Sequence, residues 1–491
     1  RIRLDIDALA DHIRRDAARD EATLAVITIC GTTEEGAVDP LHRVEALRED
    51  LASEGLSFWH HADGAFGGFF AAMIPRDEQG VALAPESPHP AVRELVDQLV
   101  GEDVYRSIVA LSQADSVTID PHKLGYIPYP AGAVLFRDYV YRDAISYAAP
   151  YLATEEQAGF SGFLGQWTLE GSRPGAAAVS CYLSQEALPL TPDGHGRLMK
   201  ECIAANRAIV TSLGKRFDEE DADWVTFRPF AVPDSIGFCF ILEPHRSLST
   251  LADQNALTAA LWNYVAVDGR DDIGQYHFLL SKTEVRVGAY RSILQDVLPR
   301  IDFSAVHDDE RLILLRVFVL NPFIAEWNRQ DTTFAGLFGE FLYDVASKVF
   351  PVHVLRSFRE RTGRRLSLKV MEQAGSPYAV GAMLRDDPMC SAYLDVETLD
   401  PETTAPTADR LLLNLPALGE PAAAVRKALR SSDSDHVIVR GSGIEHEPAF
   451  PADTRILDER APLISSLLLA ITREYSEDDL DHHPDTNGRT S

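Results

Sequence analysis

The sequence predicts an α/β protein whose largest domain holds a mostly parallel sheet between helices. Over residues 1–140, segments with helical spacing of apolar residues alternate with short β-rich runs, which is typical of βαβ units. The run at 24–30 is continuously apolar, as in a strand covered on both faces. From about residue 224 the pattern shifts to short strands around helices, which indicates a second, smaller α+β domain.

Each element follows from local pattern. Ile6, Leu9 and Ile13 recur at helical spacing, and Pro40 opens a helix at its first turn. The predicted helices span 6–19, 40–51, 90–111, 174–187, 196–215, 250–265, 333–349 and 421–430. The predicted strands span 24–30, 57–61, 116–119, 133–136, 225–230, 236–242, 311–320 and 436–439, with a further folded segment at 411–415.

These elements divide the chain into regions. We expect a partial large domain at 1–175, with an irregular loop at 141–175, connecting helices at 176–220 and a small α+β domain at 221–350. Residues 351–473 form an extension of unassigned fold. The segment 474–491 is acidic and poor in apolar residues, so we expect a disordered tail.

Composition excludes several classes of function. The 491 residues carry a net charge of −29, which argues against nucleic acid or an anionic membrane as partner because phosphate contacts need Lys and Arg. No apolar run approaches the ~18 residues of a membrane span. The five cysteines are scattered and predict neither a disulfide framework nor a zinc site. We expect reduced thiols in a cytoplasm, and no metal.

Chemistry-bearing residues follow the predicted parallel strands. Thr33, Asp63 and the residues after Ile119 are expected on one edge, because ligands bind at the carboxyl ends of such strands. Lys123 follows an apolar strand, where partial desolvation favours the free amine needed for Schiff-base chemistry. An aspartate such as Asp63 can pair with a protonated pyridine nitrogen, and the small Ala65 leaves room for a flat ring. The pattern therefore predicts a pyridoxal phosphate site.

Three segments carry a resemblance to a known family. Gly-Thr-Thr-Glu-Glu-Gly-Ala-Val-Asp-Pro at 31–40, His-Ala-Asp-Gly-Ala-Phe-Gly-Gly at 61–68 and Asp-Pro-His-Lys-Leu-Gly-Tyr at 120–126 resemble, in order and spacing, the group II pyridoxal-phosphate-dependent amino-acid decarboxylases. Within that family, 119–132 is most similar to bacterial tyrosine decarboxylases. The resemblance is strong over 25–175, is weaker to about 345, and does not securely cover 350–491. It implies fold type I.

The resemblance also implies roles for individual residues. Lys123 forms the Schiff base with the cofactor, and Asp63 pairs with its pyridine nitrogen. Ala65 lies under the ring, Thr33 contacts the ring or the substrate carboxylate, and His122 helps to fix the cofactor beside the lysine. Together these residues define the predicted catalytic and cofactor-binding site.

Further roles concern residues outside these motifs. Ser172 lies in a stretch that resembles a family segment reaching the phosphate of a neighbouring subunit. This resemblance implies a homodimer with its active site near the subunit interface. The alternative role for Ser172 is a helix N-cap. The family uses a tyrosine to protonate the reacting carbon, and Tyr129, Tyr147 and Tyr151 are candidates, of which the sequence selects none.

Several assignments stay open between a functional and a structural role. His61 is expected either to contact the cofactor or to be a packed histidine, whereas His60 is expected to be structural. Thr33 can serve a turn. Arg316, within an apolar strand, must be paired when buried; its partner is either a substrate carboxylate or an internal acid.

The functional expectation is decarboxylation of an L-amino acid, with a tyrosine-like aromatic substrate favoured by the resemblance. Family members carry a ring-stacking aromatic or histidine and a Ser-rich phosphate-binding turn upstream of the Gly-Thr-Thr segment, and the thirty residues before Gly31 contain neither. We therefore expect a fragment of a longer protein, or parts supplied from elsewhere. A related pyridoxal enzyme that cleaves another bond, such as a lyase or aldolase, and a catalytically inactive member are the alternatives.

Overall fold

The computed structural model describes residues 2–141, 146, 173–219, 222, 225–244, 250–266, 278–346 and 349, together with four short strands between 364 and 414. The chain separates into two compact units. The first unit comprises Arg1–Thr211, Phe230–Cys239 and Arg316–Ala335. The second comprises Ser212–Pro229, Phe240–Leu315 and Gly336–Ser491.

The first unit is built on a four-stranded sheet with helices between its strands. The strands are β1 (Ala25–Ile29), β2 (Trp59–Gly64), β3 (Ser116–Ile119) and β4 (Ala133–Phe136). The helices are α1 (Ile6–Ala17), α2 (Leu41–Ser53), the short α3 (Pro90–Arg93), α4 (Glu102–Ala110), α5 (Ala176–Ala187) and α6 (His195–Arg216), with a 3₁₀ helix at Gly67–Met73. Asp5 caps α1 by accepting a hydrogen bond from the backbone N–H of Ala8 at 3.0 Å.

The strand order of this sheet is β1-β2-β3-β4, with β1–β2 and β2–β3 parallel and β3–β4 antiparallel. The α/β class and the mostly parallel sheet are therefore confirmed. Strands β3 and β4 have the predicted bounds, and β2 extends from the predicted segment to Gly64. The extension places Asp63 inside the strand, at its carboxyl end.

Helices cover one face of the β1–β2 half of this sheet. Ile13 of α1 and Leu51 of α2 pack with Val26 of β1 in one apolar cluster, and Ala62 of β2 is fully buried. The expectation that β1 is covered on both faces is wrong: Ile27 is 62% exposed on the opposite side. A continuous apolar run is compatible with one covered face or two, because every second side chain points the other way.

The helix predicted at 90–111 is in fact two. The first begins at Pro90 and continues as a π-helical segment to Leu99, and α4 starts afresh at Glu102. Gly101 lies between them with φ of 81°, a left-handed conformation that glycine adopts readily and that breaks the helical run. The bounds of the other predicted elements agree with the structure to within a few residues where both are described.

The second unit contains most of a sheet with order β5-β6-β8-β7. Its strands are β5 (Val225–Pro229), β6 (Gly237–Pro244), β7 (Ser281–Arg286) and β8 (Arg311–Phe318), and its helices are α7 (Leu251–Val265), α8 (Val287–Val297) and 334–346. The sequence missed β7 and α8, which follow each other without a break. The short helix α9 (Phe323–Trp327) belongs to the first unit.

Beyond residue 350 the structure describes β9 (Arg364–Lys369), β10 (Ser391–Leu399), β11 (Pro406–Thr407) and β12 (Leu413–Asn414). Strand β10 pairs antiparallel with the other three. The predicted elements at 421–430 and 436–439 and the predicted tail at 474–491 lie outside the described residues. Among the residues that are described, no helix has both the length and the apolar character needed to cross a membrane.

Candidate active site

The carboxyl ends of the parallel strands bring the predicted residues to one edge of the sheet. Asp63 of β2 pairs in register with Ile29 of β1 and with Thr118 of β3. The loop after β1 carries Thr33, and the turn after β3 carries Lys123. Because parallel strands end at a common edge, residues far apart in the sequence meet there. We call this edge the rim.

Asp63 is half-buried and only partly satisfied by hydrogen bonds. Its Oδ1 accepts the backbone N–H of Ala65 at 3.0 Å, and its backbone carbonyl accepts the N–H of Cys30 at 2.8 Å. Its Oδ2 has no hydrogen-bond partner among the residues that the structure describes. The carboxylate is thus oriented by its own turn and retains one oxygen that can accept a charged N–H from a ligand.

Lys123 projects from a tight turn that begins at Asp120. The backbone N–H of Lys123 donates to the carbonyl of Asp120 at 2.9 Å. Its Nζ lies 3.0 Å from Oδ2 of the same aspartate and 4.6 Å from the ring centre of Phe66, and its side chain is 25% exposed. The amine is therefore held at the rim between a carboxylate and an aromatic face.

Asp120 and Phe66 are site residues to which sequence reasoning assigned no role. Asp120 stands three residues before Lys123, a spacing that brings two side chains together in a turn, so the signal was present locally. Phe66 directly follows Ala65 and approaches the lysine across the rim, a contact that local pattern does not reveal. Asp120 is thus the acid that pairs with the amine, while Oδ2 of Asp63 has no hydrogen-bond partner in the part of the chain that the structure describes.

The same turn holds His122 and Tyr129 against each other. Nδ1–H of His122 donates to the carbonyl of Ala131, Nε2 lies 3.6 Å from Oδ2 of Asp120, and the ring centres of His122 and Tyr129 are 3.9 Å apart. Tyr129 is 74% exposed. Of the three candidate tyrosines, this one stands beside the lysine turn; its role as proton donor stays a prediction.

Tyr126 anchors the turn that carries Lys123. Its backbone has a φ of 57°, a left-handed conformation that few residues other than glycine adopt. Its hydroxyl donates to the carbonyl of Leu320 at 3.0 Å and lies 3.6 Å from Sγ of Cys202. Burial raises the pKa of this phenol, so it remains protonated and keeps the turn anchored.

His61 lies on the same face of β2 as Asp63, with both ring nitrogens occupied. Nδ1 is 2.7 Å from the hydroxyl of Ser116, and Nε2 is 3.1 Å from that of Thr118. Burial lowers the pKa of this imidazole, although the charge of Asp63 opposes the shift. A cofactor would meet the flat face of the ring, and that contact stays a prediction.

Its neighbour His60 is fully buried on the helix-covered face. Nε2 lies 2.9 Å from the hydroxyl of Thr28, and Nδ1 contacts the carboxylate of Glu45. Both ring nitrogens are engaged by protein groups. This arrangement agrees with the structural role that the sequence suggests for His60.

The loop after β1 brings Thr33 and Glu34 to Arg316. Nη1 of Arg316 lies 3.2 Å from the carbonyl of Thr33 and 3.1 Å from Oε2 of Glu34. Of the two partners that the sequence left open for Arg316, the structure contains the internal acid. The side chain of Thr33 is exposed, and its contact with a cofactor stays a prediction.

Close packing fixes the shape of this loop. Gly36 has a φ of 67°, and a Cβ there would lie 2.6 Å from the carbonyl oxygen of Gly237. The hydroxyl of Ser235 donates to the carbonyl of Gly36 at 2.6 Å, and the thiol of Cys239 donates to that of Glu34 at 2.7 Å. The backbone at Glu34 is therefore held firmly.

Two phenylalanines connect Arg316 to the lysine. The guanidinium lies 5.7 Å from the ring centre of Phe318, and this ring lies 5.2 Å from that of Phe66, which faces Lys123. Arg316 and Phe318 are two residues apart in β8 and so share one side of the strand. The rim therefore combines an amine, a guanidinium and an aromatic wall.

The described residues at the rim offer neither a reactive thiol nor a metal site. Burial raises the pKa of Cys30 to about 12, and it also raises the pKa of Cys239. Neither thiol is a nucleophile near neutral pH. Among the described parts of the chain, no group of three or more histidine, cysteine or acidic side chains has the arrangement of a metal site.

Three predicted residues cannot be placed. Tyr147, Tyr151 and Ser172 lie outside the described residues. Their roles as proton donor and phosphate ligand stay predictions.

No family model matches the sequence. The chain is 30% identical to the L-tyrosine decarboxylase of Levilactobacillus brevis over 335 residues, which is 67% of this chain and 53% of that protein. It is also 30% identical to the L-tyrosine decarboxylase of Enterococcus faecium over 334 residues, 66% of this chain and 53% of the relative. An L-aspartate decarboxylase of Thermococcus kodakarensis is 34% identical over 195 residues, 40% of this chain and 41% of that protein.

The chain belongs to the group II pyridoxal-phosphate-dependent amino-acid decarboxylases.

The chain spans about half the length of the curated decarboxylases that it matches, so the activity, substrates and partners of the whole protein are proposals. A solved structure of Oryza sativa TDC with PLP and tryptamine resembles the fold with a TM-score of 0.47 at 13% identity, covering 70% of this chain and 55% of the other.

The rim of this decarboxylase-family chain fits pyridoxal phosphate. Lys123 supplies the amine that would bind the aldehyde, and Oδ2 of Asp63 can accept the N–H of a protonated pyridine. Ala65 adds only a methyl group beside that carboxylate, and its own N–H is already bound by Asp63. The residues present therefore fit the aldehyde and the pyridine nitrogen of the cofactor.

Proposed function

We propose that the protein decarboxylates an L-amino acid to the corresponding amine and CO2, with pyridoxal phosphate as cofactor. The observation that best supports this proposal is that the parallel strands which carry Asp63 and precede Lys123 end at one edge of the sheet. There the amine is held at 3.0 Å from Asp120, and one oxygen of Asp63 has no hydrogen-bond partner among the described residues. An amine and a partly unpaired carboxylate at one edge of a sheet suit the binding of a pyridine aldehyde, whereas they add little to the packing of the core.

When bound, the cofactor supplies an electron-accepting ring that takes up the electron pair left as CO2 departs. Asp63 keeps a proton on the pyridine nitrogen, because a carboxylate stabilises the adjacent N–H⁺. Lys123 would hold the cofactor through its amine. Asp120, whose Oδ2 lies 3.0 Å from that amine, would position it at the rim.

The aromatic wall orients the substrate and excludes water. Phe66 faces the lysine amine at 4.6 Å, and Phe318 extends the apolar surface toward Arg316. A dry environment strengthens the electrostatic contacts of Asp63 and Arg316. The reaction takes up one proton at the carbon that loses CO2, and we propose Tyr129, Tyr147 or Tyr151 as the group that delivers it.

A tyrosine-like aromatic amino acid is the favoured substrate. The relatives from Levilactobacillus brevis and Enterococcus faecium are both named L-tyrosine decarboxylases, whereas a shorter match is named L-aspartate decarboxylase. Phe66 and Phe318 offer an aromatic side chain a stacking surface. The carboxylate of Asp120 beside Lys123 would repel a second acidic group, which disfavours aspartate and glutamate.

We further propose a homodimer whose active site lies near the subunit interface, with Ser172 reaching the phosphate bound by the neighbouring subunit. A cytoplasmic location is proposed as well. It agrees with the free thiols of Cys30, Cys181, Cys202 and Cys239, the cysteines among the described residues. The domain boundaries predicted at residues 175, 220 and 350 are part of the same proposal.

The test is a screen of the twenty L-amino acids on the full chain purified with pyridoxal phosphate. We expect visible absorbance of the bound cofactor and release of CO2 with the matching amine, fastest with tyrosine. Release of an aldehyde without CO2 would instead support a lyase or aldolase. Cofactor absorbance without turnover of any substrate would support an inactive member, and absence of the absorbance would overturn the cofactor assignment.

A further inference from the structure

Arg316 is occupied by a carboxylate of the protein itself, in a position that suits a substrate carboxylate. Its Nη1 is 3.1 Å from Oε2 of Glu34 and 3.2 Å from the carbonyl oxygen of Thr33. Through Phe318 and Phe66 the guanidinium borders the same aromatic wall as the lysine amine. We infer that Glu34 is an internal competitor for Arg316, which the carboxylate of the substrate must displace. This inference rests on the proposed function.

The geometry allows the exchange without movement of the backbone. The side chain of Glu34 is 38% exposed, against 23% for Arg316, so the acid can rotate toward solvent while the guanidinium stays in place. The carbonyl of Thr33 still binds Nη1 when the acid leaves. The backbone of Glu34 is held by the thiol of Cys239 at 2.7 Å.

Repulsion between like charges makes the two carboxylates compete for Arg316. A carboxylate bound at Arg316 beside an unmoved Glu34 would place two like charges around one cation, which is unfavourable in a partly desolvated site. While Glu34 is in place, its negative charge balances the positive charge of Arg316, which weakens the attraction of Arg316 for other anions. Glu34 therefore lowers the affinity for the substrate and acts as a positioning residue through Arg316.

The experiment measures binding apart from turnover. The probe is 3-(4-hydroxyphenyl)propanoate, which has the carboxylate and aromatic ring of tyrosine and no amine to react with the cofactor. Calorimetric titration of the purified chain compares wild type with Glu34→Gln and Glu34→Asp. We expect Glu34→Gln to bind the probe roughly five- to tenfold more tightly, because the competing charge is gone. Glu34→Asp should stay within about twofold of wild type.

The matched control is Glu201→Gln. Glu201 pairs with Arg329 at 2.6 Å on the surface of the same unit, so the variant also removes one glutamate charge from an arginine ion pair. We expect it to bind the probe as wild type does. Equal or weaker binding by Glu34→Gln, or no detectable binding by any variant, would overturn the inference, since Glu34 would then support Arg316 or have no part in recognition.

Steady-state kinetics separate this inference from the proposed function. With tyrosine as substrate, Glu34→Gln should lower KM by about the same factor as it lowers the dissociation constant of the probe. Its kcat should stay within twofold of the wild-type value. If wild type releases no CO2 from any amino acid, the proposed function fails, while the probe titration still decides the role of Glu34. If turnover occurs and KM is unchanged or raised in Glu34→Gln, the inference fails and the proposed function stands.

Discussion

The two faces of strand β2 carry different kinds of polar residue. On the helix-covered face, His60 is fully buried and bound by Thr28 and Glu45. On the other face, Asp63 is half-buried and has one carboxylate oxygen without a hydrogen-bond partner among the described residues. The contrast teaches that a buried, fully paired polar group such as His60 serves structure, while a partly exposed group with an unused acceptor, such as Asp63, is the candidate for function.

The largest effect is expected for Lys123→Ala. The variant should lose decarboxylation by at least about a thousandfold and show no visible cofactor absorbance, because it lacks the amine that Lys123 supplies at the rim. Its melting temperature should change little, since a partly exposed ion pair is worth about 1 kcal/mol or less. Enzyme assay, absorbance spectrum and thermal melt test these points.

Lys200→Ala is the matched control for that variant. Lys200 pairs with Glu94 at 3.1 Å and has a similarly small exposure, yet belongs to helix α6 and not to the rim. It should retain activity and cofactor absorbance. Loss of both in Lys200→Ala, or their survival in Lys123→Ala, would remove the basis for assigning the rim as the active site.

Asp63→Asn tests the functional face of β2. The amide oxygen can still accept the N–H of Ala65, so the fold should be kept, but a neutral group no longer holds a proton on the pyridine nitrogen. We expect kcat to fall by about a hundredfold or more, with a small change in the free energy of unfolding. Activity near that of wild type would contradict the role of this carboxylate.

Asp115→Asn tests a buried, fully paired polar group that supports the backbone of His60 in β2. Asp115 is almost fully buried and binds the backbone N–H of His60 at 2.9 Å, Arg48 at 2.9 Å and Arg137 at 2.5 Å. Neutralising it leaves two guanidinium groups without that counter-ion, which should cost about 2–4 kcal/mol of unfolding free energy.

The two aspartate variants are to be compared by urea unfolding and by activity per folded molecule. Asp115→Asn should lose stability and keep activity, the reverse of Asp63→Asn. The same outcome in both variants would show that exposure and an unused acceptor do not distinguish the two roles.

Local pattern predicted the strand ends on which this candidate site depends. The bounds of β3 and β4 were predicted correctly, and with them the strand end that carries the lysine turn. Asp63 and Lys123 were predicted as site residues because they lie at or just after the ends of strands, and a parallel sheet brings such positions to one edge. Burial of both faces of β1 was wrong because apolar composition does not report which neighbours cover a strand.

What the sequence left out depends on contacts between distant residues. Arg316 and Glu34 are separated by 282 positions, so no local signal decides between an internal acid and a ligand for this guanidinium. The approach of Phe66 to Lys123 depends likewise on how two turns pack. Strand β7 and helix α8 were not predicted, because the strand passes directly into the helix without the turn residues that mark a boundary.

The smallest effect is the pH dependence that His61 adds to stability. Burial is the main cause that lowers its folded-state pKa below the ordinary value of 6.5. The unfolded chain then binds a proton more readily than the folded one, so the stability from this residue is present above about pH 6.5 and is lost as the pH falls through the lowered folded-state pKa. His61→Gln should therefore flatten the fall in urea midpoint on acidification, while above pH 7 the midpoints of both proteins should run parallel. An equally steep fall in the variant would show that other groups cause the acid sensitivity and that His61, although it shares a face with Asp63, titrates as a solvated side chain does.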